Sequence, residues 1–405
     1  LRGSAGISRL EVNASGRVMR ELQRINETTG KDIQLTVDSR LQNFSMQRMR
    51  GHSASAVVMD VISGDIISMC SVPSFNPNKI VNGISIKDWN NLLSNKKRPL
   101  SNKSVSDAYP PASTFKMMVA IAALKAGVMS PKEKIKCTGV YELGDSKHHC
   151  WKKNGHGDTN LYEGLKLSCD IYFYEMARRV GIDAIAETAK QFGIANNILI
   201  PVSAISKGLM PTTTWKNETF GQRWLTGDTL NAGIGQGYIL TTPIQLTLMT
   251  ARIATGNLIV PKLINAMNGV QALNQKFEKL NIPENILTEI RNGMSAAVND
   301  RDGTGYKSRI IDKDYKLAGK TGTAQVRRIT SLEREEGVTK NENLPWEKRD
   351  HALFTGYAPF HKPKYAVSVI IEHGGGGSRI AAPIARDILL FAFHKGVPPL
   401  NAYPI

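Results

Sequence analysis

"YPPASTFKMMVAIAALKAG", residues 109–127, decides how the rest of the chain is read. Pro110 and Pro111 hold the approach extended and bar a helix ahead of Ser113. An apolar run follows, from Phe115 to Leu124, with no breaker before Gly127, a natural helix stop. Its apolar residues lie on every side, so the helix is expected to be buried all round. Ser113 and Lys116 are the polar exceptions, and their spacing puts them on one helix face. A serine hydroxyl needs a base within hydrogen-bond reach to act as a nucleophile, and a lysine serves as that base only when burial lowers its pKa. A helix N-terminus also favours the negative charge that develops on attack. On its own the pair reads as readily as an N-cap serine followed by a surface lysine, so its company has to decide.

The chain of 405 residues is long enough for one large domain or two, and 41% hydrophobic with 21% charged residues is ordinary globular composition. It opens on Leu1, carries no apolar run long enough to cross a bilayer and has no signal peptide, so it reads as a processed piece. A formal net charge of +17 points to an acidic partner: nucleic acid, an anionic membrane surface or a carboxylate-bearing substrate. The basic residues are scattered, however, with no arginine-rich arm, aromatic RNA-binding signature or finger spacing, which argues against nucleic acid. Four cysteines are too few for a disulfide scaffold of this size.

Taken in order, residues 1–34 are polar, with "VMRELQRI" a short helical candidate and too little chain for a domain. "DIQLTVD" (32–38) alternates like a half-buried strand, and Asp38 or Ser39 is placed to cap a helix carrying Leu41, Phe44 and Met49. Residues 53–72 read as a hairpin around Ser63-Gly64-Asp65, with Cys70 a small buried hydrophobe. Helical patterns dominate 128–260, among them "TTPIQLTLMTARIATG", where Thr242 caps and Pro243 opens the first turn. Residues 316–326, 351–359 and 365–373 are strand candidates, residues 327–350 form a long, charged, mobile loop, and "APIARDILLFAF" closes the chain as an amphipathic helix. The expected fold is α/β of the α+β type: an antiparallel sheet made from the first hairpin and the last three strands, flanked by helices, with a helical lobe at about 110–260 and a site in the cleft between them.

Two further stretches join the Ser113 helix. In "GKTGTAQV", Lys320, Thr321, Gly322 and Thr323 combine a cation, hydroxyls and a strand glycine that marks close approach, which suits an extended peptide bearing a carboxylate. Ser168-Cys169-Asp170 stands at a helix start. Ser-x-x-Lys, then Ser-x-Asp, then Lys-Thr-Gly-Thr, in that order, is the motif set of penicillin-binding proteins and class A β-lactamases, with Asp170 where asparagine is commoner.

With "DIQLTVDSRLQ", "VVMDVISGDIISM", "PPASTFK", "SCDIYFY", "GDTLNAGIGQGY", "GKTGTAQV" and "HGGGGS", the chain resembles the transpeptidase domain of class B penicillin-binding proteins, in the penicillin-binding protein 2 branch that serves cell elongation. The resemblance implies a β-lactamase/transpeptidase-like fold over 35–405, and makes 1–34 the remnant of an N-terminal pedestal. It implies a D,D-transpeptidase that cross-links peptidoglycan stem peptides through an acyl-enzyme and is inhibited by β-lactams. Ser113 becomes the nucleophile and Lys116 its base; Ser168 and Lys320 relay the proton to the leaving D-Ala amine; Asp170 holds that network. Thr321, Gly322 and Thr323 bind the substrate carboxylate, and the N–H groups of Ser113 and Thr323 form the oxyanion hole. It also implies a missing N-terminal membrane anchor, a periplasmic catalytic domain at the bacterial inner membrane, and a SEDS-type glycosyltransferase with other elongation proteins as partners. The alternative in the same superfamily is a β-lactam hydrolase or a D,D-carboxypeptidase.

Cys137, Cys150 and Cys169 crowd together with His148, His149 and His156. Spacing leaves three readings open: a Cys3His structural zinc site, a Cys137–Cys150 disulfide, or free buried thiols. Some members of the resembled family bind zinc through a "D-W-K-K-x-G-H" block and a cysteine in the Ser-x-Asp motif. By that resemblance Cys150, His156 and Cys169 are ligands and Cys137 the fourth, with His148 or His149 as substitutes; the acyl transfer itself needs no cofactor.

Overall fold

The computed structural model describes every residue except 1, 2, 274, 331, 332, 335, 336 and 405. In chain order, the elements that position the site are helix α1 (Ser39–Arg48), strands β1 (Ser53–Asp60) and β2 (Ile66–Val72), helices α2 (Lys116–Lys125), α3 (Leu161–Leu167), α4 (Asp170–Val180), α5 (Pro243–Thr255) and α6 (Glu284–Asn299), strands β3 (Ala318–Ala324), β4 (His351–Ala358) and β5 (Tyr365–Glu372), and helix α7 (Ala381–His394). The five strands form one antiparallel sheet in the order β3-β4-β5-β1-β2, so the first hairpin and the last three strands do combine. β3 is an edge strand.

Period-two alternation gives each central strand two apolar faces. Val57, Met59, Leu353, Tyr357 and Ile370 face the core shared with the helical lobe. Ala56, Val58, Phe354, Val367 and Val369 face a second core under α1 and α7. The hydroxyls on the first face are matched rather than orphaned. Thr247 on α5 meets Ser368 at 2.6 Å, Thr250 meets Thr355 at 2.5 Å, and Thr355 and Ser368 lie opposite each other in the β4–β5 register. The caps follow the chemistry of their residues. Asp38 accepts from the N–H of Arg40 and Leu41 at the head of α1, and Thr242 with Gln245 closes a capping box on α5, whose first residue is Pro243.

α2 is the buried axis of the lobe: Lys116 through Ala123 are all buried. Ser113 lies in a 3-10 turn, Ala112–Phe115, and the α-helix proper begins at Lys116.

Three regions differ from the sequence pattern. "VMRELQRI" is not helical but a strand, Val18–Ile25, paired with Ile7–Val12 and exposed throughout. Its helical spacing loses to the turn before it, where Asn13 Oδ1 accepts from the N–H of Ser15 and Arg17 and Gly16 takes φ +79°. The strand in 32–38 is only Ile33–Leu35. The helical lobe also carries two small antiparallel ribbons, Ile135–Cys137 with Gly157–Thr159 and Val140–Leu143 with Ser146–His149. In the loop 327–350, 3-10 turns occur at Asn341–Asn343 and Trp346–Lys348, and Asn341 exchanges hydrogen bonds with Asp350. Residues 331, 332, 335 and 336 of that loop lie outside the described residues.

Candidate active site

The nucleophile candidate is held between two backbones. Ala112, just before Ser113, has φ +49°, and its N–H donates to Gly235 O at 2.8 Å. A Cβ on Gly235 would lie 2.1 Å from Ala112 O, so only glycine fits there. From the other side, a Cβ on Gly322 would meet Thr114 Cγ2 at 3.1 Å and Pro111 O at 3.3 Å. The strand glycine does mark a close approach, that of the Ser113 turn itself. The turn is thus pressed between the "GIGQG" segment and the edge strand β3.

The spacing of Ser-x-x-Lys then places Lys116 one turn deeper, with no exposed surface. Its Nζ donates to Asp170 Oδ1 at 2.7 Å and to Ser168 O at 2.9 Å, stands 3.3 Å from Ser168 Oγ, and lies 5.4 Å from the Phe173 ring centre. Ser168 ends α3 in a left-handed conformation, φ +56°, which turns its side chain toward β3. There its hydroxyl accepts from Lys320 Nζ at 2.8 Å. One hydroxyl therefore sits between two buried amines. Burial, then the charge of Lys116, pushes the Lys320 pKa well below the ordinary lysine range, and Asp170 offsets this only in part. Two lysines share one carboxylate, an arrangement suited to moving a proton between an oxygen and a nitrogen.

Ser113, Ser168, Asp170, Thr321, Gly322 and Thr323 line one cavity of about 540 Å³. Thr321 Oγ1 donates to Thr304 Oγ1 at 2.8 Å, and Gly377 N–H donates to Thr323 Oγ1 at 3.4 Å. Sequence reasoning passed over Thr304, Gly235 and Trp151. Trp151 ties the site to its surroundings: its N–H donates to Asp170 Oδ2 at 2.9 Å, and its indole N–H to the carbonyls of Leu167 and Ser168, both at 3.1 Å. The signal was its position immediately after Cys150 in "CWKKNGH".

Cys137, Cys150, His156 and Cys169 come together, with ligand atoms all within 4.8 Å of one another. His156 Nδ1 lies 3.6 Å from Cys137 Sγ and 3.5 Å from Cys150 Sγ, and the four thiols of the chain, including Cys70, are free and buried. These separations fit a tetrahedral ion with metal–sulfur bonds of about 2.3 Å and a metal–nitrogen bond of about 2.0 Å. A hydrogen bond with Cys169 draws the Cys150 thiol toward the thiolate and pushes Cys169 up. His148 and His149 are not in this group; they line the catalytic cavity, where burial lowers both imidazole pKa values.

A serine beside two buried lysines, on an antiparallel sheet flanked by helices, is the site type of the β-lactamase/transpeptidase-like fold. The chain matches the model of the penicillin binding protein transpeptidase domain over residues 54–390 and belongs to that family. It is 36% identical, over its whole length, to peptidoglycan D,D-transpeptidase MrdA of Haemophilus influenzae, of which it covers 63%. It is also 36% identical to MrdA of Escherichia coli K12, over 96% of this chain and 62% of the relative. The chain thus spans less than two thirds of these curated relatives. Among solved structures, Pseudomonas aeruginosa PBP2 in complex with WCK 5153 matches with a TM-score of 0.82 at 35% identity, covering 93% of this chain and 83% of that one. Helicobacter pylori PBP2 in complex with MreC matches with a TM-score of 0.83 at 31% identity, covering 97% and 70%.

Proposed function

We propose that the chain is the catalytic part of a peptidoglycan D,D-transpeptidase that is acylated and inhibited by β-lactams. The observation that carries this reading is Ser168 Oγ, held at 3.3 Å from Lys116 Nζ and 2.8 Å from Lys320 Nζ on the wall of the Ser113 cavity. In this reading Ser113 Oγ attacks the carbonyl of the penultimate D-Ala of a stem peptide. Its proton passes to Lys116, and Ser168 with Lys320 delivers a proton to the departing D-Ala amine. An amine of a second stem peptide then attacks the ester and releases Ser113. Thr321 and Thr323 hold the terminal carboxylate, the peptide extends along the free edge of β3, and the N–H groups of Ser113 and Thr323 stabilise the oxyanion.

The test is fluorescent-penicillin labelling with intact mass measurement. One acyl group per chain, released slowly and absent in Ser113→Ala, is expected. Rapid repeated turnover would favour the hydrolytic alternative, and no acylation would defeat the assignment.

A structural zinc held by Cys137, Cys150, His156 and Cys169 belongs to the same reading, supported by their mutual distances. It would fix the loop that bears Trp151, and through it Asp170. About one zinc per chain by elemental analysis, lost in Cys150→Ser, is expected. Residues 1–34 are read as the foot of a pedestal and 35–405 as the catalytic domain, anchored to the inner membrane with its site in the periplasm. No helix among the described residues is long and apolar enough to cross a membrane. A SEDS-type glycosyltransferase and other elongation proteins complete the proposed assembly, in keeping with the PBP2–MreC complex among the structural relatives.

A further inference from the structure

Part of the lining of the cavity that holds Ser113 is basic and is not used by the acyl chemistry. It consists of Lys147, His148 and His149, on the ribbon strand Ser146–His149, together with Arg334 from the loop after β3. The ribbon stands on the helical lobe: Tyr174 OH on α4 donates to His149 O at 3.1 Å, and the His148 ring lies 5.7 Å from the Tyr174 ring, edge-on. Arg334 comes from the sheet side of the cleft, so the basic groups belong to both lobes. The carboxylates that line the cavity are already engaged. Asp170 takes Lys116 on one oxygen and the Trp151 N–H on the other, and Asp350 Oδ2 accepts from Asn341 Nδ2 at 3.0 Å. Glu142 stands 4.0 Å from Lys147 with both side chains largely in solvent, where such a pair is weak. This basic part of the lining therefore offers positive charge and imidazole N–H groups to whatever enters.

We propose that Lys147, His148, His149 and Arg334 form a subsite for a carboxylate of the stem peptide other than the one at its C-terminus. This rests on the transpeptidase reading, in which Thr321 and Thr323 take the terminal carboxylate. A side-chain carboxylate within such a peptide, on the donor or the acceptor strand, is the group that this patch would take. A charge held at the rim sorts substrates by side-chain charge without touching the reacting atoms. These are specificity residues, not catalytic ones.

The test uses two synthetic probes. The first is a thioester donor ending in a D-alanyl thiol ester, made with its internal side-chain carboxylate free or as the carboxamide, and followed without acceptor. The second is an amine-bearing acceptor peptide in the same two forms, read as the ratio of aminolysis to hydrolysis of the acyl-enzyme. The carboxylate form is expected to be favoured about tenfold in KM or in partition ratio, with kcat for the donor alone little changed. The double variant Lys147→Ala/Arg334→Ala should erase that preference, and Arg334→Lys should retain most of it. Preference in the first arm assigns the subsite to the donor, and in the second to the acceptor. Equal use of both forms in both arms, or a preference that survives the double variant, overturns the proposal. Penicillin labelling of wild type and variants runs alongside: loss of labelling in the wild type would condemn the transpeptidase reading, whereas intact labelling with no charge preference condemns only the subsite.

Discussion

Two charged clusters stand against the same sheet, one wholly buried and one reaching the surface at Arg98, and they are built on opposite plans. The one beneath the catalytic cavity has two lysines, Lys116 and Lys320, for one carboxylate, Asp170. The other lies where β1 begins and β5 ends, and it is balanced. Glu372 accepts from Ser53, Tyr109 OH and Arg98; Arg98 also pairs with Asp107 at 2.9 Å; Lys103, fully buried, donates to Arg98 O at 3.0 Å. Burial alone would raise the Glu372 pKa, but its donors and cations outweigh that and hold it below the ordinary glutamate value. Two cations against two acids, with hydroxyls filling the remaining positions, make a fixed joint between the sheet and the segment that leads into Pro110 and Ser113. An excess of one cation makes a site that gives up a proton. Balance serves architecture here, and imbalance serves chemistry.

The largest effect expected from breaking this contrast is on the catalytic side. Lys116→Ala should slow acylation by penicillin about a thousandfold in stopped-flow measurements, the range of a lost general base. Lys320→Met should slow it about a hundredfold and yet raise stability by about 1 kcal/mol in urea melts, because it removes the uncompensated cation. The sign with pH follows from the direction of the shift. Between the depressed folded pKa of Lys320 and the ordinary lysine value of about 10.4, the unfolded chain binds a proton that the native state does not. Wild-type stability therefore gains a rising component across that window as pH increases, and Lys320→Met should lack it.

In the balanced cluster the stability effect of a substitution reverses, while the pH slope keeps its sign. Glu372→Gln should cost about 2 kcal/mol of stability, since it removes the nearest negative charge from buried Lys103 and one of the two acids beside Arg98, while the acylation rate stays within a few-fold of wild type. The wild-type contribution of Glu372 is present above the ordinary glutamate pKa and lost as pH falls through its lower folded value; chemical denaturation at pH 6 and pH 3 would read the difference. Tyr109→Phe is the smallest change. Removing one hydrogen bond to Glu372 should cost about 1.5 kcal/mol and leave labelling of Ser113 intact.

The contrast also explains what was legible in the sequence. The candidate site is carried by short motifs whose internal spacing fixes geometry, so Ser113, Lys116, Ser168, Asp170, Lys320 and the Thr321–Thr323 strand were legible as candidates in the sequence, and the fold brings them together. Strands β1, β4 and β5 are buried on both faces, which leaves runs rich in small and apolar residues between turns; β2 was readable by alternation and β3 by its Lys-Thr-Gly motif. The balanced cluster left no such trace. Arg98, Lys103, Asp107 and Glu372 look like ordinary polar residues, and only the sheet register, which brings Glu372 opposite Ser53, gathers them. The strand Val18–Ile25 was hidden for a related reason: its residues fit a helix face, and the partner strand and the Asn13 turn decide otherwise. Thr304 and Gly235 act through close approach across the fold, which one-dimensional spacing does not encode.

The grip of Gly235 and Gly322 on the Ser113 turn has one more consequence. On the Gly235 side the Ala112 carbonyl, and on the Gly322 side the Thr114 methyl group and the Pro111 carbonyl, set how far apart the two walls stand at the floor, so the floor works as a slot of fixed gauge. A bulkier residue on either side would wedge it open and misalign every group that depends on it. Room for a change of residue that leaves the gauge constant exists only toward the lip, away from the two glycines.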